Sequence, residues 1–302
     1  MADRITDIVA ALPGVTGDKW QARQVAALLA SSRSLPELAA VFDLGSPLSG
    51  VSEELRTCLA HELALRGVHV AATPGLAGWA TSAHHHPLGW LPLSLVRIEN
   101  EPNLATYSAT GHGCTVLSGP SGTTPVPQNS AALVPTLTET TTPATAETIA
   151  AAVDNWVNQS NGSVEARVFS ASEPLVTDGV PKTLTALDLE CLRGPRAPLT
   201  VSQCPPDQAW RILFDAAANG GAYNLGEHGA YGRLAAWRSL AGLSGAVPSS
   251  SFAEVEARVA ACQWYHFEAN TTWFHHVAWD IGFACLSPDG RRLAILAATD
   301  TD

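Results

Sequence analysis

The stretch GFACLSPDGRRLAILAA, residues 282–298, sets two uncharged apolar runs, 282–287 and 292–298, on either side of Asp289-Gly290. Asp-Gly supplies the left-handed backbone that a tight reversal needs, so the stretch reads as a β-hairpin. Working outward, 263–269 reads as a strand, 252–262 and 272–281 as helices, and Asn224 to about Leu243 as a helix opened by Asn224 and Glu227 at capping-box spacing. Further upstream lie a helix at 207–218 after Pro205-Pro206, a second strand at Leu184 to Leu192, an alternating strand at 164–169 and a helix at 146–158.

The first part of the chain has a different texture. Apolar positions three and four apart, such as Val25, Leu28 and Leu29 or Leu55, Leu59 and Leu63, predict helices at 2–12, 18–31, 35–43 and 51–66. From Val68 the text turns to Gly, Pro and His, and 118–146 is dominated by Ser, Thr, Pro and Gly with almost no charge. The predicted organisation is a helical N-terminal region with a His/Gly/Pro-rich segment over 1–117, a linker or surface loop over 118–146, and a mixed α/β domain over 147–302. The fold class is α+β, ending in the hairpin.

Composition narrows the function classes. The 302 residues carry 17 basic and 28 acidic side chains, a net charge of −11, and no Lys/Arg cluster, which argues against nucleic-acid binding because phosphate neutralisation requires a basic patch. No apolar run approaches the roughly 20 residues of a membrane span, and the first twelve residues lack a signal-peptide pattern, so a cytoplasmic protein is expected. Six cysteines without CxxC spacing fit buried reduced thiols. Charged residues are 15% of the chain against about 25% in an average globular sequence. Polar side chains inside the uncharged stretches therefore need partners or a ligand.

Three constellations stand out. On the 224–243 helix, at about 100° per residue, Glu227, Tyr231, Leu234, Trp237 and Arg238 share a face, while Gly229, Gly232 and Ala236 permit close approach elsewhere. Neither face looks solvated, so Glu227, Tyr231, Arg233 and Arg238 are candidate substrate-binding residues, with His228 a candidate proton carrier. The loop at 219–224 ends at a helix N-terminus, which favours an anion. The plainer reading makes Glu227 a cap and Arg238 half of an internal ion pair.

The second constellation spans 263–283. As a strand, it sets His266 and Glu268 on one face about 7 Å apart, where both can converge on one bound group. In the following helix, His276 and Asp280 stand four apart, and a carboxylate-oriented imidazole is a usable general base. The alternative is a core histidine tied down by a buried carboxylate. The third is His84-His85-His86-Pro87 with His112-Gly113-Cys114. His85 is a further candidate proton carrier. His84, His86 and His112 have spacing that can hold zinc, although the glutamate of a cupin-type motif and an HExxH motif are both missing. The primary expectation is a site without metal or cofactor. P-loop, dinucleotide-binding and GxSxG templates are absent, and Cys114 has no local feature that lowers a thiol pKa.

Residues 221–240, from Gly-Ala-Tyr-Asn through Glu227-His-Gly-Ala-Tyr-Gly-Arg to Leu240, Val277-Ala-Trp-Asp280 with the closing Leu-Ala-Ile-Leu-Ala-Ala-Thr-Asp, and His85-His86-Pro87-Leu88-Gly89 together resemble an uncharacterised family of actinobacterial proteins carrying a domain of unknown function. The resemblance covers most of the chain after about residue 80 and implies no activity; a role in specialised metabolism is the expectation it suggests. Three functions follow from the residues. The first is an enzyme acting on a small polar or anionic metabolite by acid–base chemistry such as elimination, cyclisation or displacement. The second is a noncatalytic binding or assembly protein with a protein partner or a homo-oligomeric state. The third is a zinc enzyme at the His-rich loop.

Overall fold

The computed structural model describes residues 19–43, 53–80, 86–99, 102, 104, 119–128, 131, 133–194, 199–276 and 279–301. The helix expected at 2–12 and His84, His85, His112 and Cys114 lie outside them. The architecture is α+β. Its strands are β1 (Thr124–Pro125), β2 (Leu137–Glu139), β3 (Ser163–Ala171), β4 (Leu199–Cys204), β5 (Gln263–Ala269), β6 (Trp279–Leu286) and β7 (Arg292–Asp300). They form one antiparallel sheet in the order β1-β4-β5-β6-β7-β3-β2. The predicted hairpin is its β6–β7 pair, and Gly290 takes the left-handed φ of 68° while its N–H reaches the Ser287 carbonyl at 2.8 Å.

Both sheet faces are covered, which explains why β7 is apolar without alternation. Ala294, Leu296 and Ala298 enter the helical core, whereas Leu293, Ile295 and Ala297 enter a second core with Phe169, Tyr265, Phe267 and Phe274. That second core is closed by 175–191, including helix α7 (Val180–Ala186).

The other helices are α1 (Lys19–Ser32), α2 (Leu35–Phe42), α3 (Glu53–Leu65), α4 (Ala77–Ala80), α5 (Pro143–Ala150), α6 (Asp154–Gln159), α8 (Pro206–Asn219), α9 (His228–Ser244) and α10 (Phe252–Ala261). Helix α9 is central: it packs against α1, α3, α5, α8 and α10 and touches β6 and β7. It approaches α8 closely because Gly232 has no side chain; a Cβ there would lie 2.9 Å from the Ala218 Cα. No helix among the described residues is long and apolar enough to cross a membrane.

Three local expectations are corrected. None of the described residues of 272–281 is helical: Phe274 turns into the second core, His276 takes φ 54°, and β6 begins at Trp279. Leu184 to Leu192 is not a strand, because Pro181 in the first turn starts α7 and a 3-10 turn follows at Glu190–Leu192. The capping box at Asn224 does not form. Asn224 Oδ1 instead accepts from the Gly221 N–H at 2.6 Å, and α9 begins at His228 with Glu227 as its N-cap residue.

The 118–146 stretch supplies both edge strands of the sheet and the first turn of helix α5. Its helix start carries no charge. Thr142 Oγ1 accepts from the Thr145 N–H at 3.2 Å, and Thr145 Oγ1 accepts from the Thr142 N–H at 2.9 Å, so threonine does what glutamate does in the usual capping box.

Candidate functional site

Helix α9 presents polar side chains in two directions. Towards α3 and the 92–99 segment it sends Arg233 and Trp237, which meet the buried carboxylate of Glu99. Arg233 Nε and Nη2 donate to the two Glu99 oxygens at 2.5 and 2.7 Å. Nη2 also donates to the Ser94 carbonyl at 3.0 Å, and Nη1 donates to the Pro92 carbonyl at 2.8 Å and to His61 Nδ1 at 3.1 Å. A guanidinium has five N–H donors, and all five are used. Glu99 also accepts from Trp237 Nε1 at 2.7 Å and from the Val96 N–H at 3.0 Å. Burial and the neighbouring Arg233 hold His61 neutral, far below the usual histidine range. Arg233 therefore has no donor left for a substrate; it ties α9 to the segment beneath it.

The adjoining stripe of α9 carries Tyr231, Leu234, Ala235 and Arg238, with Glu227 at the helix entry. Together with Ala217 of α8 and the α6 region it bounds a cavity of about 180 Å³. Three of the predicted site residues thus share one space, as the helical period implied. From the opposite wall come Asp154, Asn155 and Gln159. Asp154, Gln159 and Arg238 are exposed and form the rim, whereas Asn155 is 6% exposed. Both Asn155 Oδ1 and Nδ2 are buried and lack a hydrogen-bond partner. Helix α6 is fixed by its neighbour Trp156, whose Nε1 donates to the Ala216 carbonyl at 3.3 Å.

Tyr231 joins this cavity to a charged chain behind it. The Leu88 N–H donates to His86 Nδ1 at 3.2 Å, which leaves the ring proton on Nε2, 2.8 Å from Glu54 Oε2. Glu54 also accepts from the Tyr231 hydroxyl. Burial pushes the Glu54 carboxyl up, but the hydrogen bonds from His86 and Tyr231 and the charge of Arg23 outweigh it and bring the group down to about 2. The Tyr231 hydroxyl moves up, through burial and the adjacent Glu54 carboxylate. The Arg23 guanidinium lies over the Tyr231 ring, 3.6 Å from its centroid, and pairs with Glu227. The Cys58 thiol also points at Glu54, at 3.7 Å, and burial pushes it well above the usual thiol range.

The remaining predicted residues lie elsewhere. His228 is fully buried, with φ 58°, beside the Trp20 ring, and burial followed by the charge of Arg23 lowers it to about 4. His266 and Glu268 do share a face of β5, with Nδ1 to Oε1 at 3.8 Å, and burial lowers the imidazole. Asp280 does not orient the His276 ring: it accepts from the His276 backbone N–H at 2.8 Å and from Thr299 Oγ1 at 2.6 Å. The His276 ring instead reaches the Ala269 carbonyl at 3.1 Å. None of these five residues lines the cavity.

The anion expected at the 219–224 loop is supplied by the chain. Asp300 Oδ2 accepts from the Ala222 N–H at 2.7 Å and fills the space a Cβ on Gly221 would occupy. Among the described residues no group of three His, Cys, Asp or Glu side chains is placed to hold a metal ion, and both ring nitrogens of His86 are engaged.

Arg23, Glu54, Glu99 and Asn155 were not singled out from the sequence. A signal was present for three of them. Arg23 and Glu54 sit in predicted helices with strong apolar periodicity, and Glu99 follows the apolar 91–96 segment. The rule that charges in apolar stretches need partners applied to them as fully as to α9.

The chain belongs to the DUF6183 family, a family of unknown function, whose model matches residues 3–302. No curated protein and no solved structure matches it.

Proposed function

We propose that the cavity between α6, α8 and α9 binds a small polar metabolite carrying an anionic group, and that the protein acts on it by acid–base chemistry. The observation that carries this reading is the convergence of Glu227, Tyr231 and Arg238 on one cavity whose rim holds an exposed arginine. At about 180 Å³ the cavity is below the roughly 300–1,000 Å³ of drug-sized sites, so the occupant is small. Arg238 has no hydrogen-bond or ion-pair partner among the described residues and is suited to a carboxylate or phosphate.

Glu227 is the residue we assign to proton transfer, since it lines the cavity and Arg23 holds it in place. Glu54 and Tyr231 are shifted away from neutrality in opposite directions, so they keep fixed protonation states near pH 7 and position the wall. That same locking favours a second reading, a noncatalytic binding protein.

A thermal-shift screen of small carboxylates and phosphates tests the site. Stabilisation should appear with the native protein and vanish in Ala235→Trp, which fills the cavity from a half-buried wall position; equal shifts in both proteins would remove the cavity from consideration. Reaction of the hits is then followed by NMR. Glu227→Gln should keep binding and slow turnover by at least about 100-fold. Unchanged turnover would end the role of Glu227, and binding without any product would select the noncatalytic reading.

A further inference from the structure

We propose that the ligand is a small zwitterion, an amino acid whose ammonium group meets Asp154 and whose carboxylate meets Arg238. The inference rests on the cavity being the ligand site and adds the charge type of its occupant. Asp154, the first residue of α6, and Arg238 of α9 line the cavity from opposite walls, and both are exposed. Neither has a hydrogen-bond or ion-pair partner among the described residues, and the two do not pair with each other. Opposite charges that stay apart on facing walls leave a space with a negative and a positive side.

The other polar groups of the lining are committed within the chain. Arg23 pairs with Glu227 and covers the Tyr231 ring, and the Tyr231 hydroxyl donates to Glu54. The polar atoms of Asn155 have almost no accessible surface, so they present nothing to a ligand. With Glu227 balanced by Arg23, the free charges of the lining are one of each sign. A simple carboxylate meets Arg238 but brings a second negative charge to Asp154, and a simple amine meets Asp154 but brings a second positive charge to Arg238. A zwitterion answers both walls, and its net charge of zero matches that of the lining. The guanidinium offers paired N–H donors to a carboxylate, while an ammonium, with three donors and no acceptor, suits the Asp154 carboxylate. Ala152, Ala217 and Leu234 wall the space between the charges, and its volume of about 180 Å³ calls for a short methylene spacer.

Ligand-observed NMR and calorimetric titrations of the full chain test this with glycine, β-alanine and 4-aminobutyrate. Each is compared with the acid that lacks its ammonium group (acetate, propionate, butyrate) and the amine that lacks its carboxylate (methylamine, ethylamine, propylamine). The tightest-binding amino acid should exceed both of its counterparts by about fivefold, the scale of one exposed ion pair. Asp154→Asn should remove the advantage over the acid and keep the advantage over the amine, and Arg238→Gln should do the reverse. Both positions are exposed, so the fold tolerates either change. A counterpart that binds as tightly as its amino acid would overturn the zwitterion assignment and leave the cavity as a site. So would an advantage over the acid that survives Asp154→Asn, or one over the amine that survives Arg238→Gln. Failure of all three amino acids to bind while other compounds stabilise the protein through the cavity would also overturn it. If nothing stabilises the native protein differently from Ala235→Trp, the site itself falls, and the inference with it.

Discussion

On one side of α9, Arg233 spends all five N–H donors on Glu99, His61 and two carbonyls. On the adjoining side, Glu227, Tyr231 and Arg238 line a cavity, and the exposed Arg238 at its rim pairs with none of the described residues. Both regions place polar groups against the same helix in a chain of low charge content. The first completes every bond within the chain, so it specifies how α3, the 92–99 segment and α9 fit together. The second leaves bonds for something outside the chain. Saturation of the partners, more than burial or charge, separates a structural cluster from a candidate site.

The largest effect should come from breaking the saturated side. Arg233→Met leaves Glu99 buried without its cation, and removing one partner of a buried pair costs about 3–5 kcal/mol. Urea unfolding should show that loss as a lower midpoint. The double replacement Arg233→Met with Glu99→Met should recover part of it, because no uncompensated charge remains. A single-variant loss below about 1 kcal/mol would mean the cluster does not organise the helix, and the contrast between the two sides would collapse.

Glu54 lies between the regions and should show an intermediate effect that depends on pH. Burial raises its carboxyl while His86, Tyr231 and Arg23 lower it, with a net fall from 4.5 to about 2. A depressed carboxylate contributes stability fully above the unfolded-state value and loses it as pH falls through the folded one. The native protein should therefore lose about 2 kcal/mol more than Glu54→Gln between pH 5 and pH 2, after allowance for solvent screening. Parallel stability curves for the two proteins would show that the chain from His86 to Tyr231 carries no net charge coupling, and that the cavity wall is held by packing alone.

Much of the sheet was legible because its signals are local. Asp289-Gly290 between apolar runs announces β6 and β7, and Gln263–Ala269 is rich in aromatic residues. The 272–281 segment misled because Trp273, His276 and Asp280 have helical spacing, whereas a left-handed φ at His276 and the burial of Phe274 in the second core decide the conformation. Along α9 and its N-cap the helical period grouped Glu227, Tyr231 and Arg238, which do share the cavity, but it set Trp237 on the same face, and Trp237 turns instead to Glu99. It could not say which polar residues were satisfied, since Glu99 lies 134 positions from Arg233 and Glu54 lies 32 from His86. Partners at that separation are set by packing, and sequence spacing carries no trace of them.

The smallest expected change is also the one that bears most directly on what separates the two sides. Asn155→Leu replaces two unpaired buried polar atoms by methyl groups of similar reach in a wall already lined by Ala152 and Leu234. The replacement should raise stability by about 1 kcal/mol, since an unsatisfied buried group is a cost to the folded protein. The same substitution leaves Glu227, Tyr231 and Arg238 in the cavity lining, so its effect is on stability. Differential scanning calorimetry measures the change. A loss of stability at Asn155→Leu would group Asn155 with Arg233 among the side chains that hold the fold.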